Sequence, residues 1–408
     1  MRIVSLMAHV PYPGIPHAGG QYVLAHLRAL RGRGHSVTVI APGWRGNGEN
    51  ARLLRDELDV EVVVCEPLLS GRLAEWWDTQ QIRLFPVRPP RRFRQAIRRS
   101  RRAQAALADG ELIEAQWTEM GWLARSARRA HPRVRRVVTA HDVIAQTYER
   151  VFATTQTRSL ARVLGLWRRW SVARDEGRLY REMDAVIVFS AKDARYVREL
   201  SDGAARAVVL RPPFDGGVAD EYRVLPDGPP TIVFVGAFFR DVNAQAAEWL
   251  IDEIVPLVRE RRADVRFVLA GAGPTARMIS AAEADPLLEV TGEVPSLEPS
   301  YAAATAVVVP LRMGAGLKFK TVEAMMRGIP VVSTTVGAEG LVGEGDTTGL
   351  MVEDDAGGIA DALLRVLDDP AAAWRAARHS REWAVSAFSA TSFPERLESA
   401  LLGRAGQR

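Results

Sequence analysis

The segment RMGAGLKFKTV, from Arg312 to Val322, holds two glycines and three cations and contains no acidic residue. Lys318 and Lys320 matter because lysine is rare here: all but three of the 54 basic residues in this 408-residue chain are arginine. AVVVPL before the segment reads as a buried strand. TVEAMMRG after it reads as an amphipathic helix that stops at Gly328, with Pro330 just beyond. Gly314, Ala315 and Gly316 then sit where a strand turns into a helix, and the helix start offers free N–H groups and positive dipole. Lysines in that first turn cost about 0.3–1 kcal/mol each unless an anion sits there. Arg312, Lys318 and Lys320 therefore read as a clamp for a diphosphate, with the backbone amides of the glycine turn as further donors. Glu323, one turn into the helix, is placed either to accept both hydroxyls of a ribose or to pair with a lysine.

The same strand-to-helix logic picks out further positions. Gly19 and Gly20 follow the first strand in HVPYPGIPHAGG, ahead of a helix from Gly20 to Arg31. His141 and Asp142 end a strand in RRVVTAHDVIAQTY, where Asp142 either orients the imidazole or caps the next helix. Gly236, Arg240 and Asn243 follow the strand in TIVFVGAFFRDVN, FVLAGAGP (Phe267 to Pro274) supplies another loop, and Gly337 and Glu339 follow a strand in TTVGAEG.

These loops need a scaffold of parallel strands. Short apolar runs alternate with helical patterns along the whole chain, the signature of α/β units. The first half has runs at Arg2 to Met7, Ser36 to Ile40, Glu61 to Cys65, Leu112 to Gln116, Arg136 to Ala140, Ala185 to Phe189 and Ala207 to Leu210. After a Pro- and Gly-rich stretch, Arg211 to Pro230, they resume at Thr231 to Val235, Val265 to Ala270, Leu288 to Thr291, Ala306 to Pro310, Pro330 to Ser333 and Gly349 to Val352. The expected architecture is two Rossmann-like domains, residues 1–212 and 213–388, with a C-terminal helix in 389–408 returning to the first. Ligands in such folds bind outside the carboxyl ends of the strands, which predicts a cleft between the domains.

Composition narrows the partners. The chain is 47% hydrophobic and 25% charged, as a soluble globular protein is, and its net charge of +5 permits an anionic ligand. No recognition helix or aromatic-interleaved basic motif points to nucleic acid. Cys65 is alone, which excludes a disulfide framework and a cysteine zinc site and fits a reducing cytoplasm. The N-terminal run is broken by His9 and Pro11 too early for a signal peptide or a membrane span. RRFRQAIRRSRRAQAAL, Arg91 to Leu107, reads as one basic helical pattern with arginines on several faces. It is either solvated or rests on the inner face of an anionic membrane.

PLRMGAGLKFKTVEAMMRGIPVVSTTVGAEGL resembles the donor-binding signature of retaining glycosyltransferases of family 4 with the GT-B fold, in its R-x-G-x-G-x-K-x-K form. Glu323 matches the second acid of that family's E-x7-E motif, while Ala315 stands at the first. The resemblance extends to the Gly19–Gly20 loop, His141 and the Gly236 turn. It implies a nucleotide-sugar donor, with Glu323 on the ribose, Gly236, Arg240, Asn243, Arg312, Gly314, Ala315, Gly316, Lys318 and Lys320 on its diphosphate and sugar, and His141 near the sugar's 6-position. It also implies a glycan, lipid-linked or small-molecule acceptor, front-face transfer with retention, and no cofactor or metal. A nucleotide-sugar 2-epimerase, a non-catalytic sugar-nucleotide binder and a nucleic-acid binder are the rival readings; the epimerase would want extra carboxylates in the cleft, which Ala315 does not provide.

Overall fold

The computed structural model describes residues 1–408 except 16–17, 45, 69–70, 128–129, 155–159, 215–223, 315, 344–346 and 404–408, and it omits the side chains of 18, 150–154 and 160–164. The chain divides into two compact units. One comprises Met1–Pro213 with the segment from Ala390 onward; the other is Phe214–Ser389.

The first unit is built on a seven-stranded sheet: β1 (Arg2–Leu6), β2 (Ser36–Pro42), β3 (Glu61–Cys65), β4 (Leu112–Gln116), β5 (Arg135–Thr139), β6 (Ala185–Val188) and β7 (Ala207–Val209). Their order is β3-β2-β1-β4-β5-β6-β7, and every pair is parallel. Parallel strands carry helices on both faces, so both faces must be apolar, which is why these strands read as continuous hydrophobic runs. Val4, Leu6, Ile113, Ala115 and Val138 pack into one core, and Ile3, Val37, Val39, Leu112 and Val137 into the other. The C-terminal helix Phe393–Leu402 contributes Phe393, Leu397, Ala400 and Leu401 to the second of these cores.

The second unit has six parallel strands: β8 (Thr231–Val235), β9 (Arg266–Ala270), β10 (Leu288–Gly292), β11 (Ala306–Val309), β12 (Val331–Ser333) and β13 (Leu350–Val352). Their order is β10-β9-β8-β11-β12-β13. In each sheet the winding reverses once, between β1 and β4 in the first and between β8 and β11 in the second. Loops leaving two such strands diverge, and the crevice they leave is the usual binding place of open α/β sheets.

The expected single helical pattern from Arg91 to Leu107 is corrected to two helices, Arg91–Arg99 and Arg101–Asp109. Ser100 breaks the run: it is extended, and its Oγ accepts the Ala103 N–H as an N-cap. Phe93, Ala96 and Ile97 are buried, so Arg91, Arg94, Arg98 and Arg99 of the first helix are exposed, while Arg92 turns in to the buried Asp78 at 2.8 Å. Among the described residues no helix is long and apolar enough to cross a membrane.

Candidate active site

At the reversal point of the second sheet, the loops after β8 and β11 meet. β8 is followed by Gly236, whose N–H donates to the Ala270 carbonyl at 3.0 Å. A Cβ at Gly236 would lie 3.3 Å from Lys320 Nζ and 3.2 Å from the Phe238 ring, so glycine here keeps open the space above the lysine. Lys320 donates to Asn243 Oδ1 at 2.8 Å, Asn243 Nδ2 in turn donates to the Ala237 carbonyl, and the ammonium lies 4.8 Å from the Phe234 ring centroid. An amide oxygen and a ring face hold this cation where an ion pair would normally be expected. Burial, followed by the charges of Arg240 and Lys318, brings the Lys320 pKa down to about 7.

Gly271, after β9, packs against the same turn. Its φ is +141° and a Cβ there would meet the Gly236 carbonyl oxygen at 2.0 Å. Gly271→Ala therefore combines backbone strain with a clash against main chain, and an urea melt should show a loss on the order of 3 kcal/mol. An unchanged midpoint would mean that the two loops can part freely.

From β11 the chain runs through Gly314 (φ +124°) and Gly316 (φ +76°) into the helix Phe319–Met326, with Lys318 extended at the N-cap. Lys318 Nζ donates to the Gly316 carbonyl at 2.5 Å and pairs with Glu339 at 3.4 Å. Glu339 is buried, as is Gly337, whose carbonyl accepts from Thr321 Oγ1 at 2.7 Å. Glu323 pairs with Arg327 at 3.1 Å, not with a lysine, and accepts from the Tyr301 hydroxyl at 3.1 Å. The Arg327 guanidinium lies over the Tyr301 ring at 4.4 Å. Burial raises the Glu323 pKa, and Arg327 and Tyr301 pull against it. Two held contacts leave this carboxylate with further lone pairs for a diol.

In the first unit, His141 follows β5 and is buried. Its Nε2 donates to Gln116 Oε1 at 3.1 Å, which fixes the tautomer and leaves Nδ1 as the acceptor of the neutral ring. The ring stacks on Trp117, centroids 4.5 Å apart and planes 20° apart, and meets Tyr22 and Phe189 edge-on. Trp117 takes a left-handed backbone (φ +68°), unfavourable for so bulky a residue, and its N–H donates to the Thr139 carbonyl. Beneath Gln116 lies a fully buried pair, His26 Nε2 to Glu114 Oε2 at 2.8 Å, with the Tyr22 hydroxyl 3.3 Å from His26 Nδ1.

Residues 18–213 match the family described as "Glycosyl transferase 4-like domain", and residues 229–369 match "Glycosyl transferases group 1". Over 207 residues, 47% of this chain, it is 32% identical to the lipopolysaccharide core biosynthesis mannosyltransferase LpsB of Rhizobium meliloti, and it spans 57% of that relative's length. Two solved structures superpose along nearly all of it. Sucrose-phosphate synthase of Thermosynechococcus elongatus does so with a TM-score of 0.67 at 18% identity, covering 98% of both chains. HepE of Anabaena in complex with UDP gives 0.67 at 14% identity, covering 99% of this chain and 100% of that one. The chain has the GT-B fold of glycosyltransferases.

In this GT-B chain, Gly236, Asn243, Lys318, Lys320 and Glu323 all gather at the reversal point of the second sheet, with Arg240 exposed at the start of the next helix. Arg312 is exposed and lies 5.0 Å over the Trp249 ring, so its side chain is engaged by an aromatic face. Ala315 lies outside the described residues. Gly19 and Gly20 are in the first turn of a helix that starts at Ala18, not in the loop before it. At the start of the helix after His141, the N–H groups of Ile144 and Ala145 donate to the buried Glu176 at 3.0 and 2.8 Å. Burial raises the Glu176 pKa to about 7.

Sequence reasoning missed Gln116, Trp117, Tyr301 and Arg327. One signal was present for the first: LIEAQ puts Glu114 and Gln116 on the same face of a strand whose two faces should both be apolar. Among the described residues no three His, Cys, Asp or Glu side chains gather with metal-ligand spacing.

Proposed function

We propose that the protein is a retaining glycosyltransferase that moves a sugar from a nucleoside diphosphate donor, a UDP-sugar, to a hydroxylated acceptor. The observation that carries this is Lys320: a cation withdrawn from water, facing a glycine-cleared gap, flanked by Lys318 and Arg240 and held by Asn243. Glu339 offsets Lys318 alone, so holding the three cations together without a further anion is costly. A diphosphate at this helix start would neutralise them, keep Lys320 protonated and accept the free N–H groups. Glu323, aligned by Tyr301 and Arg327, then takes the ribose diol.

In the reaction the anomeric carbon–oxygen bond to the diphosphate breaks as the acceptor oxygen bonds to the same carbon on the same face. The hydroxyl proton passes to the departing phosphate oxygen. Lys318, Lys320 and the helix start stabilise the charge that develops on that leaving group, which is the task a metal would otherwise perform. His141, its tautomer set by Gln116, hydrogen-bonds the donor sugar. HepE of Anabaena, a structural neighbour, has been solved with UDP and with UDP-glucose, which supports the choice of uridine.

A thermal-shift comparison of UDP, GDP and dTDP tests the donor. UDP at a hundredfold excess over its Kd should stabilise by about 2.7 kcal/mol, with the other two well behind. Donor incubated alone should return unchanged at C2, and donor with acceptor should give UDP and a product of the donor's anomeric configuration. An epimerised donor sugar, or an inverted product, overturns the reading.

A further inference from the structure

The helix Arg72–Leu84 is turned inside out. Leu73, Trp76, Trp77 and Leu84 fall within about 100° of one another on the helical wheel, the width of a core-facing stripe, yet they are 73%, 51%, 56% and 43% exposed. Its one fully buried residue is Asp78, held by Arg92 at 2.8 Å. Arg72 and Arg83 both lie along the Trp76 edge of the stripe, and Glu75 lies on the other side of the helix. The apolar surface continues into Phe85, which meets Trp167 at 6.0 Å between ring centroids, and on to Trp170, 60% exposed.

Beside this stripe is a cavity of about 350 Å³ lined by Trp77, Gln81, Phe85, Arg88, Pro89, Arg91 and Arg94. Arg88 is paired with Asp175 at 2.6 Å. Burial, and then the charges of Arg91, Arg98 and Arg88, lowers the Arg94 pKa, so these guanidiniums stand close enough to repel one another. Tryptophan and leucine pointing outward, rimmed by arginines whose stems can lie along apolar surface, is the composition that settles at the headgroup level of a bilayer. A protein partner would more commonly be met by charges of both signs. A two-fold contact between copies through this face would set the same arginines against each other.

We infer that this face of the first unit docks on a membrane containing anionic phospholipid, with Leu73, Trp76, Trp77 and Leu84 entering the interface and the arginine-lined cavity taking a headgroup phosphate. The surface goes beyond the transfer reaction and uses none of the residues assigned to it.

Sedimentation of the full chain with vesicles tests it, using equal parts phosphatidylglycerol and phosphatidylcholine against phosphatidylcholine alone. The chain should bind the anionic vesicles and be largely lost from neutral ones. Each arginine contributes about fivefold near an anionic surface, so R91Q/R94Q should weaken binding roughly twentyfold. W76S/W77S should weaken it by at least about tenfold. Both variants replace exposed or rim side chains and should keep the parent's circular dichroism melt and its thermal shift with UDP. If the chain ignores anionic vesicles, binds neutral ones equally, or binds undiminished as W76S/W77S, the inference is wrong. It is also wrong if the unaltered chain is a dimer that W76S/W77S makes monomeric, because a second copy would then be the occupant.

Discussion

Lys320→Met should abolish donor binding while leaving the fold no less stable at neutral pH. Donor affinity should fall at least about a hundredfold, and transfer about a thousandfold, because a charge-assisted contact and the leaving-group stabilisation are lost together. Stability should hold because the native chain confines an ammonium that resists being charged, and methionine fills the space over the Phe234 ring without that penalty. The pH dependence sharpens the test. With the Lys320 pKa at about 7 in the folded chain and near the ordinary lysine value when unfolded, the unfolded chain binds more protons between those values. Stability therefore rises with pH across that window, and Lys320→Met should remove the rise. A bound diphosphate pulls the pKa back up, so donor binding takes up a proton above pH 7 and affinity for a UDP-sugar falls by up to about tenfold per pH unit. Calorimetry in buffers of different ionisation enthalpy reads that proton directly. Wild-type turnover in the variant, or proton uptake that persists without Lys320, would show that the diphosphate sits elsewhere.

His141→Ala is expected to slow transfer by about 10²–10³-fold while UDP affinity changes less than twofold. UDP lacks the sugar that His141 is proposed to contact, so the split between turnover and nucleotide binding separates this role from general damage. Gln116→Glu adds a readout that packing alone would not move. A carboxylate facing His141 Nε2, in place of an amide oxygen, favours the imidazolium at the expense of the neutral ring whose Nδ1 accepts, and should shift the acidic side of the kcat profile to higher pH. A Gln116→Glu profile that overlays the native one would leave Gln116 as a packing residue.

Much of the scaffold was legible because parallel strands buried on both faces leave uninterrupted apolar runs, and turns at their carboxyl ends require glycine. The gathering of Lys318 and Lys320 at a glycine turn was legible for a similar local reason: a helix start with two lysines and no acid is a conflict that can be read within ten residues. What the sequence concealed were partners distant along the chain. Glu114 and His26 are 88 positions apart, and Tyr301 is 22 from Glu323. Nothing in LIEAQW announces that Trp117 will take a left-handed backbone to stack on His141. The Arg91 to Leu107 pattern misled because Ser100 is tolerable in a helix but better as a cap. In Arg72–Leu84 the periodicity marks an apolar face without saying which way it points; only the inward Asp78–Arg92 pair reveals that.

The return of the C-terminal helix to the first unit also dictates an order of assembly. Phe214–Ser389 is one continuous stretch and can close its core during synthesis, whereas the other unit begins first and finishes last. Until Phe393, Leu397, Ala400 and Leu401 emerge, the core around Tyr22, Leu27 and Leu30 lacks one wall. A nascent chain stalled before residue 390 would carry a completed Phe214–Ser389 unit and an unfinished one that presents its apolar floor to chaperones.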